Sequence, residues 1–152
     1  MKKILFVCSG NTCRSPMAET IFNDLMGRKN HKEPVWTAAS AGLFAQDNFK
    51  ASYEARWIME EMGWDLSAHR SRLLREQLLA EIDLVLTMTE KHKEHLIDKF
   101  PQVAGKVFML TEFVDEYGDV SDPFGGGYQV YSETGKYLQE LITKLLDFLL
   151  DF

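Results

Sequence analysis

The sequence predicts an α/β fold, a parallel sheet with helices packed on both faces. Short apolar, partly β-branched runs alternate with amphipathic stretches of helical period, joined by brief loops. The length agrees: 152 residues suffice for a substantial core, and residues 1–152 are expected to form a single domain.

Lys3–Val7 is the first apolar run and predicts a buried strand. Ser15-Pro16 then supplies an N-cap and a proline at the first helical position. Met17, Ile21, Phe22, Leu25 and Met26 recur at helical spacing, with Gly27 as the expected stop. Val35–Ala41 predicts a second strand and Ser52–Met62 a helix ended by Gly63, after which Leu66–Arg72 is irregular. Leu73–Ala80 predicts a short helix, Ile82–Met88 a third strand, and Glu90–Phe100 a helix closed by Pro101. Lys106–Leu110 is the fourth expected strand, Asp115–Gly127 a long loop, and Gln129–Phe152 a final amphipathic helix.

Composition narrows the function. The chain is 45% hydrophobic and 26% charged, ordinary for a globular protein, with no repeat or low-complexity segment. A net charge of −6 argues against a nucleic-acid partner, which favours a basic surface. The apolar run after Lys2 and Lys3 is too short for a secretory signal, and Glu140, Lys144, Asp147 and Asp151 interrupt the C-terminal apolar stretch. A cytoplasmic protein with no membrane partner is therefore expected. Cys8 and Cys13 are the only cysteines and suggest reactive chemistry rather than a disulfide scaffold. His92 and His95, three apart in a charged stretch, read as a solvated helix face rather than a metal site.

In a parallel α/β sheet, ligands bind beyond the carboxyl ends of the strands, and the first strand-to-helix turn here is Cys8-Ser9-Gly10-Asn11-Thr12-Cys13-Arg14-Ser15. Backbone N–H groups of Ser9, Gly10, Asn11, Thr12 and Cys13 at a helix N-terminus can surround a phosphate, and the helix dipole adds positive charge. Gly10 is expected to supply unusual backbone conformation. Arg14 can grip two phosphate oxygens through its planar fork. The same field favours a thiolate at Cys8, with Ser15 as a further donor, so Cys8 is the expected nucleophile toward phosphorus. Asp122, in Asp122-Pro123-Phe124, is the candidate proton donor: apolar Phe124 and a bound phosphate dianion both favour the acid form. Asp115, Glu116 and Asp119 read as solvated loop charges. A Gly-Lys-Ser/Thr ending and a Gly-x-Gly-x-x-Gly run are both missing, which excludes nucleotide loops of those kinds.

Val7–Glu19, Ser40-Ala41-Gly42, Ile82–Leu86, Met88-Thr89 and Asp122-Pro123-Phe124-Gly125-Gly126 together resemble the low-molecular-weight protein tyrosine phosphatases along essentially the whole chain. The bacterial branch acting on phosphoarginine is the most similar. The resemblance implies a flavodoxin-like three-layer sandwich around a four-stranded parallel sheet, with no metal or cofactor. It also implies Cys8 as nucleophile, Arg14 as phosphate clamp, Asp122 as general acid, a phosphorylated protein as substrate and inorganic phosphate as product. Asn11 is implied to hold the loop through a network with Ser15, Ser40 and His69, roles that spacing alone does not suggest.

For substrate choice, tyrosine enzymes of this family usually carry a β-branched aliphatic residue where this chain has Thr12. They often place an aromatic residue where it has Gly125. A hydroxyl near the scissile bond suits the polar P–N linkage of phosphoarginine, with Phe44 and Phe124 as candidate walls. Phosphotyrosine stays the alternative. Arsenate reduction would need further cysteines downstream of Cys13, and an inert phosphate-binding module would be expected to lack one of Cys8, Arg14, Ser15 and Asp122. A reversible Cys8–Cys13 disulfide under peroxide is a further expectation.

Overall fold

The computed structural model describes residues 1–29 and 35–150. Its strands are β1 (Lys2–Cys8), β2 (Trp36–Gly42), β3 (Leu84–Thr87) and β4 (Val107–Met109). Its helices are α1 (Arg14–Lys29), α2 (Tyr53–Glu61), α3 (Glu76–Ala80), α4 (Glu90–Lys99), α5 (Leu110–Phe113) and α6 (Gly127–Leu150), with a 3-10 turn over Pro101–Lys106. The strands form one parallel sheet in the order β2-β1-β3-β4. β1 is therefore central, and Ile4–Val7 are fully buried because both faces are covered.

Alternation along β1 divides the core. Ile4 and Phe6 pack with Met17, Ile21 and Phe22 of α1, Ile58 of α2 and Leu138 and Ile142 of α6. Leu5 and Val7 pack instead with Leu79 of α3 and Leu96 of α4. Helices thus cover both faces, as the element pattern predicts. The order places the ends of β1 and β2 side by side, Cys8 opposite Gly42, and the loop after β1 opens there.

Several boundaries differ from expectation for identifiable reasons. Helix α1 begins at Arg14, its first turn closed by Met17 N donating to Cys13 O at 3.2 Å, so Ser15 lies inside the helix rather than capping it. Gly27 does not stop it. The Arg28–Asp24 pair at 2.7 Å and the Lys29–Asp147 pair at 3.3 Å hold the last turn past a residue that costs a helix only about 1 kcal/mol. Leu73 and Leu74 are not helical: Leu73 bridges to Gly42, and Leu74 N donates to Gly42 O at 2.9 Å, so sheet-edge pairing overrides helical propensity. The strand expected through Leu110 ends at Met109, whose N–H donates to Glu112 Oε1 at 2.9 Å and starts α5. Of the expected final helix, residues 151 and 152 lie outside the described residues.

Candidate active site

Cys8 ends β1 with its sulfur 2.8 Å from Ser15 Oγ, and both residues are buried. Among the described residues, none of the backbone N–H groups of Ser9, Gly10, Asn11, Thr12 and Cys13 finds a protein acceptor. Successive loop amides with no protein acceptor at the start of a helix are the signature of an anion cradle. The loop surrounds a pocket of about 170 Å³ lined by Cys8, Gly10, Thr12, Arg14, Asp122 and Phe124.

The loop's shape is held from outside. Asn11, fully buried, has φ of 57°, a left-handed conformation that asparagine tolerates better than most residues. This corrects the expectation for Gly10, whose φ is not positive and where an added Cβ would make only an ordinary 3.6 Å contact with Thr12 Oγ1. The Asn11 amide donates to Ser15 Oγ and Ser40 Oγ at 2.9 Å each and accepts from Arg72 N at 2.9 Å. Its carbonyl lies 2.8 Å from His69 Nε2. Ser40 Oγ in turn donates to Glu19 Oε1 at 2.6 Å, and Arg72 Nε donates to Ser40 O at 2.9 Å. Gly42 has no room for a side chain: a Cβ there would stand 2.5 Å from Ser9 O and 2.9 Å from Asn11 N. The chain leaving β2 then clasps the loop, with Leu43 N donating to Cys8 O and Phe44 N to Ser9 O.

Arg14 is buried, and its Nη1 donates to Val120 O at 2.9 Å. Its Nη2 lies 3.8 Å from Asp122 Oδ2, while its Nε is buried without a partner. An orphaned guanidinium N–H beside open amides suits an oxyanion. Asp122 is half exposed at the pocket mouth, its Oδ1 accepting from Phe124 N at 3.1 Å. A second cavity, about 560 Å³, adjoins the first through Ser9, Arg14 and Asp122 and runs past Leu43, Phe44 and His95. Phe44 lines only this one, its ring 4.9 Å from His95, whereas exposed Phe124 lines the smaller. A larger hollow of about 700 Å³ beyond α4 is edged by Glu90, Glu94 and Asp98, a poor environment for phosphate.

The sequence profile described as "Low molecular weight phosphotyrosine protein phosphatase" matches residues 3–151. The chain belongs to that family. A protein-arginine-phosphatase of Bacillus subtilis is 43% identical over 143 residues, 93% of each chain. A low molecular weight protein tyrosine phosphatase structure from T. tengcongensis is 47% identical, with a TM-score of 0.90 over 97% of this chain and 99% of the other. The YwlE arginine phosphatase, as a cysteine-to-serine mutant with a phosphorylated active-site serine, superposes with a TM-score of 0.90 at 40% identity, covering 97% and 95%. The flavodoxin-like α/β sandwich implied by the sequence is the fold of these phosphatases.

In this phosphatase, further residues at the site escape the sequence reading. His92 is not on a solvated face: it is buried, and its Nε2 lies 2.8 Å from Ser9 Oγ. Burial, and then the Arg14 charge, pull its pKa down to about 4. Asp119 is not merely a solvated charge, since it accepts from Glu90 N at 2.9 Å and fixes the start of α4. Glu116 pairs with Lys144 at 2.5 Å. Cys13 is buried with a free thiol, its sulfur lying 3.3 Å from Ser52 Oγ and 3.5 Å from Tyr131 Oη. Burial, with the Cys13 contact second, raises the Tyr131 pKa. Arg72 had no signal beyond following His69-Arg70-Ser71. Among the described residues, no helix is long and apolar enough to cross a membrane.

Proposed function

We propose that this chain is a cysteine-dependent protein phosphatase that hydrolyses phosphoarginine in proteins and releases inorganic phosphate. The observation that carries the reading is the convergence of Cys8, Thr12, Arg14 and Asp122 on one pocket walled by open amides. The Cys8 thiolate attacks phosphorus, forming S–P as the P–N bond breaks, and Asp122 gives its proton to the departing guanidine nitrogen. Asp122 then takes a proton from water as the water oxygen attacks phosphorus, the S–P bond breaks, and Ser15 donates to the returning thiolate. Arg14 and the loop amides hold the three peripheral oxygens throughout.

Thr12 supports the choice of phosphoarginine, because it lines the same pocket as Cys8, Arg14 and Asp122 and brings a hydroxyl rather than a methyl group to it. The arginine phosphatase names of two relatives agree with it. A phosphotyrosine activity is the second reading, favoured by exposed Phe124 at the pocket mouth, against which a phenol ring could stack. We take residues 1–152 as one phosphatase domain working in the cytoplasm, where Cys8 and Cys13 stay reduced.

The test is kcat/KM for phosphoarginine and phosphotyrosine peptides of one sequence, with wild type and Thr12→Ile. Phosphoarginine is expected to be preferred by the wild type, and Thr12→Ile to shift the ratio toward phosphotyrosine. A wild type that prefers phosphotyrosine overturns the assignment.

A further inference from the structure

Ser9 and His92 form a pair that the reaction above does not use. They are 83 residues apart, yet Ser9 Oγ and His92 Nε2 are 2.8 Å from each other. Ser9 lines both the small pocket and the adjoining cavity, and its hydroxyl has no other partner among the described residues. His92 is only 6% exposed, and its Nδ1 is buried with no partner. Helix α4 is fixed beneath it, because Thr89 Oγ1 accepts from His92 N at 3.1 Å and Asp119 holds Glu90 N.

The orphaned nitrogen decides the direction of the bond. A buried N–H without an acceptor is costlier and rarer than an unused lone pair. The single proton of a neutral imidazole therefore sits on Nε2, and His92 donates to Ser9 Oγ. That occupies a lone pair of the Ser9 oxygen and leaves the hydroxyl proton with nowhere to point within the protein. The open direction is the pocket, where Cys8, Arg14 and the loop amides converge.

We propose that His92 is a positioning residue of the phosphatase reaction, orienting the Ser9 hydroxyl as an additional donor to a peripheral oxygen of the phosphoryl group. Ser9 is the side-chain donor, and His92 acts only through it. The inference rests on the phosphatase reading, but not on whether arginine or tyrosine carries the phosphate. Asp122 stays the proton donor to the leaving group, since Ser9 keeps its proton throughout the cycle.

The experiment measures kcat/KM and the binding of inorganic phosphate by calorimetry for wild type, Ser9→Ala, His92→Leu, His92→Gln and the double variant Ser9→Ala/His92→Leu. Glutamine can place an N–H near the position of Nε2, whereas leucine cannot. Loss of one neutral donor is expected to lower kcat/KM about 3- to 10-fold in Ser9→Ala and His92→Leu and to weaken phosphate binding in the same direction. His92→Gln is expected to recover most of this. The double variant should lose no more than either single one, because His92 has nothing to orient once the hydroxyl is gone. Losses that multiply in the double variant, or a folded Ser9→Ala with wild-type kcat/KM and phosphate affinity, overturn the inference. If His92→Leu fails to fold, Ser9→Ala with and without His92→Gln decides the matter: a glutamine effect that persists without the hydroxyl overturns it. A wild type inactive on both phosphopeptides overturns the phosphatase reading and this inference together, whereas an active wild type with indifferent variants overturns this inference alone.

Discussion

Ser15 Oγ accepts a hydrogen bond from Asn11 Nδ2 at 2.9 Å and stands 2.8 Å from Cys8 Sγ. A Cys8 thiolate carries no proton, so toward it only the Ser15 hydroxyl can donate. Asn11 thus orients Ser15, and Ser15 is set to donate to a thiolate whenever one forms. Ser15→Ala should remove a hydrogen bond to a charged group and lower kcat by about 10- to 100-fold. Alkylation of Cys8 by iodoacetamide at neutral pH should slow as well. An unchanged alkylation rate would show that the thiolate does not depend on Ser15.

Asp122 meets Arg14 at 3.8 Å across the pocket mouth while staying half exposed, a compromise between tethering and mobility. Asp122→Asn keeps the shape but has no acid proton, and kcat on an aryl phosphate should fall on the order of 10²–10⁴-fold. On a substrate with a much better leaving group, the loss should shrink, because less protonation is needed. Rate–leaving-group plots for both proteins measure this.

Gly42 is where β2 touches the phosphate loop backbone. In Gly42→Ala, the methyl group must displace Ser9 O or Asn11 N, both backbone atoms that cannot rotate away. Overpacking of this kind should cost about 1–3 kcal/mol of stability in urea titrations. Activity should fall further than stability does, because the displaced atoms belong to the anion cradle. A fully active Gly42→Ala would show the loop to be softer than its contacts suggest.

His92 gives the fold a dependence on acidity. Its pKa lies near 4 in the folded chain and near 6.5 when unfolded, so the unfolded state binds the proton first. The groups around it are Arg14, which lowers the pKa, and Asp119 and Asp122, which raise it, with His95 also lowering it. Its stabilising contribution is complete above the unfolded value and is lost progressively as pH falls from about 6.5 to about 4, reaching at most roughly 3 kcal/mol. Stability–pH curves for wild type and His92→Gln should converge as pH falls through that window. Parallel curves would mean that His92 does not carry the effect.

Much of this could be read in the sequence because local pattern and tertiary outcome agree. Ile4–Val7 is apolar throughout, as a strand covered on both faces must be, and Ser52 caps α2 by accepting from Ala55 N at 3.2 Å. Cys8, Arg14 and Asp122 stood out because their chemistry is explicit in residue type. Ser40 and His69 came only through family resemblance: a serine in a strand and a histidine in a loop carry no local sign of a partner 29 or 58 residues away. The role of His92 is hidden for the converse reason. Lys91, Lys93 and Glu94 surround it with the look of a solvated helix face, and nothing nearby announces the serine it meets 83 residues away. Gly10 is the expected site of unusual geometry in the loop, but the anchored Asn11 takes that conformation instead.

The loop that holds Cys8 is braced by residues that follow it much later: Gly42, His69, Arg72, and finally the Val120 carbonyl that fixes Arg14. During synthesis, the nucleophile leaves the ribosome well ahead of these braces, and its setting is completed more than a hundred residues afterwards. β1 must also wait for β3 before both of its edges are paired. The thiol therefore travels across that whole stretch of synthesis without the cradle, the clamp or the acid, and catalysis begins only after Val120 and Asp122 have emerged.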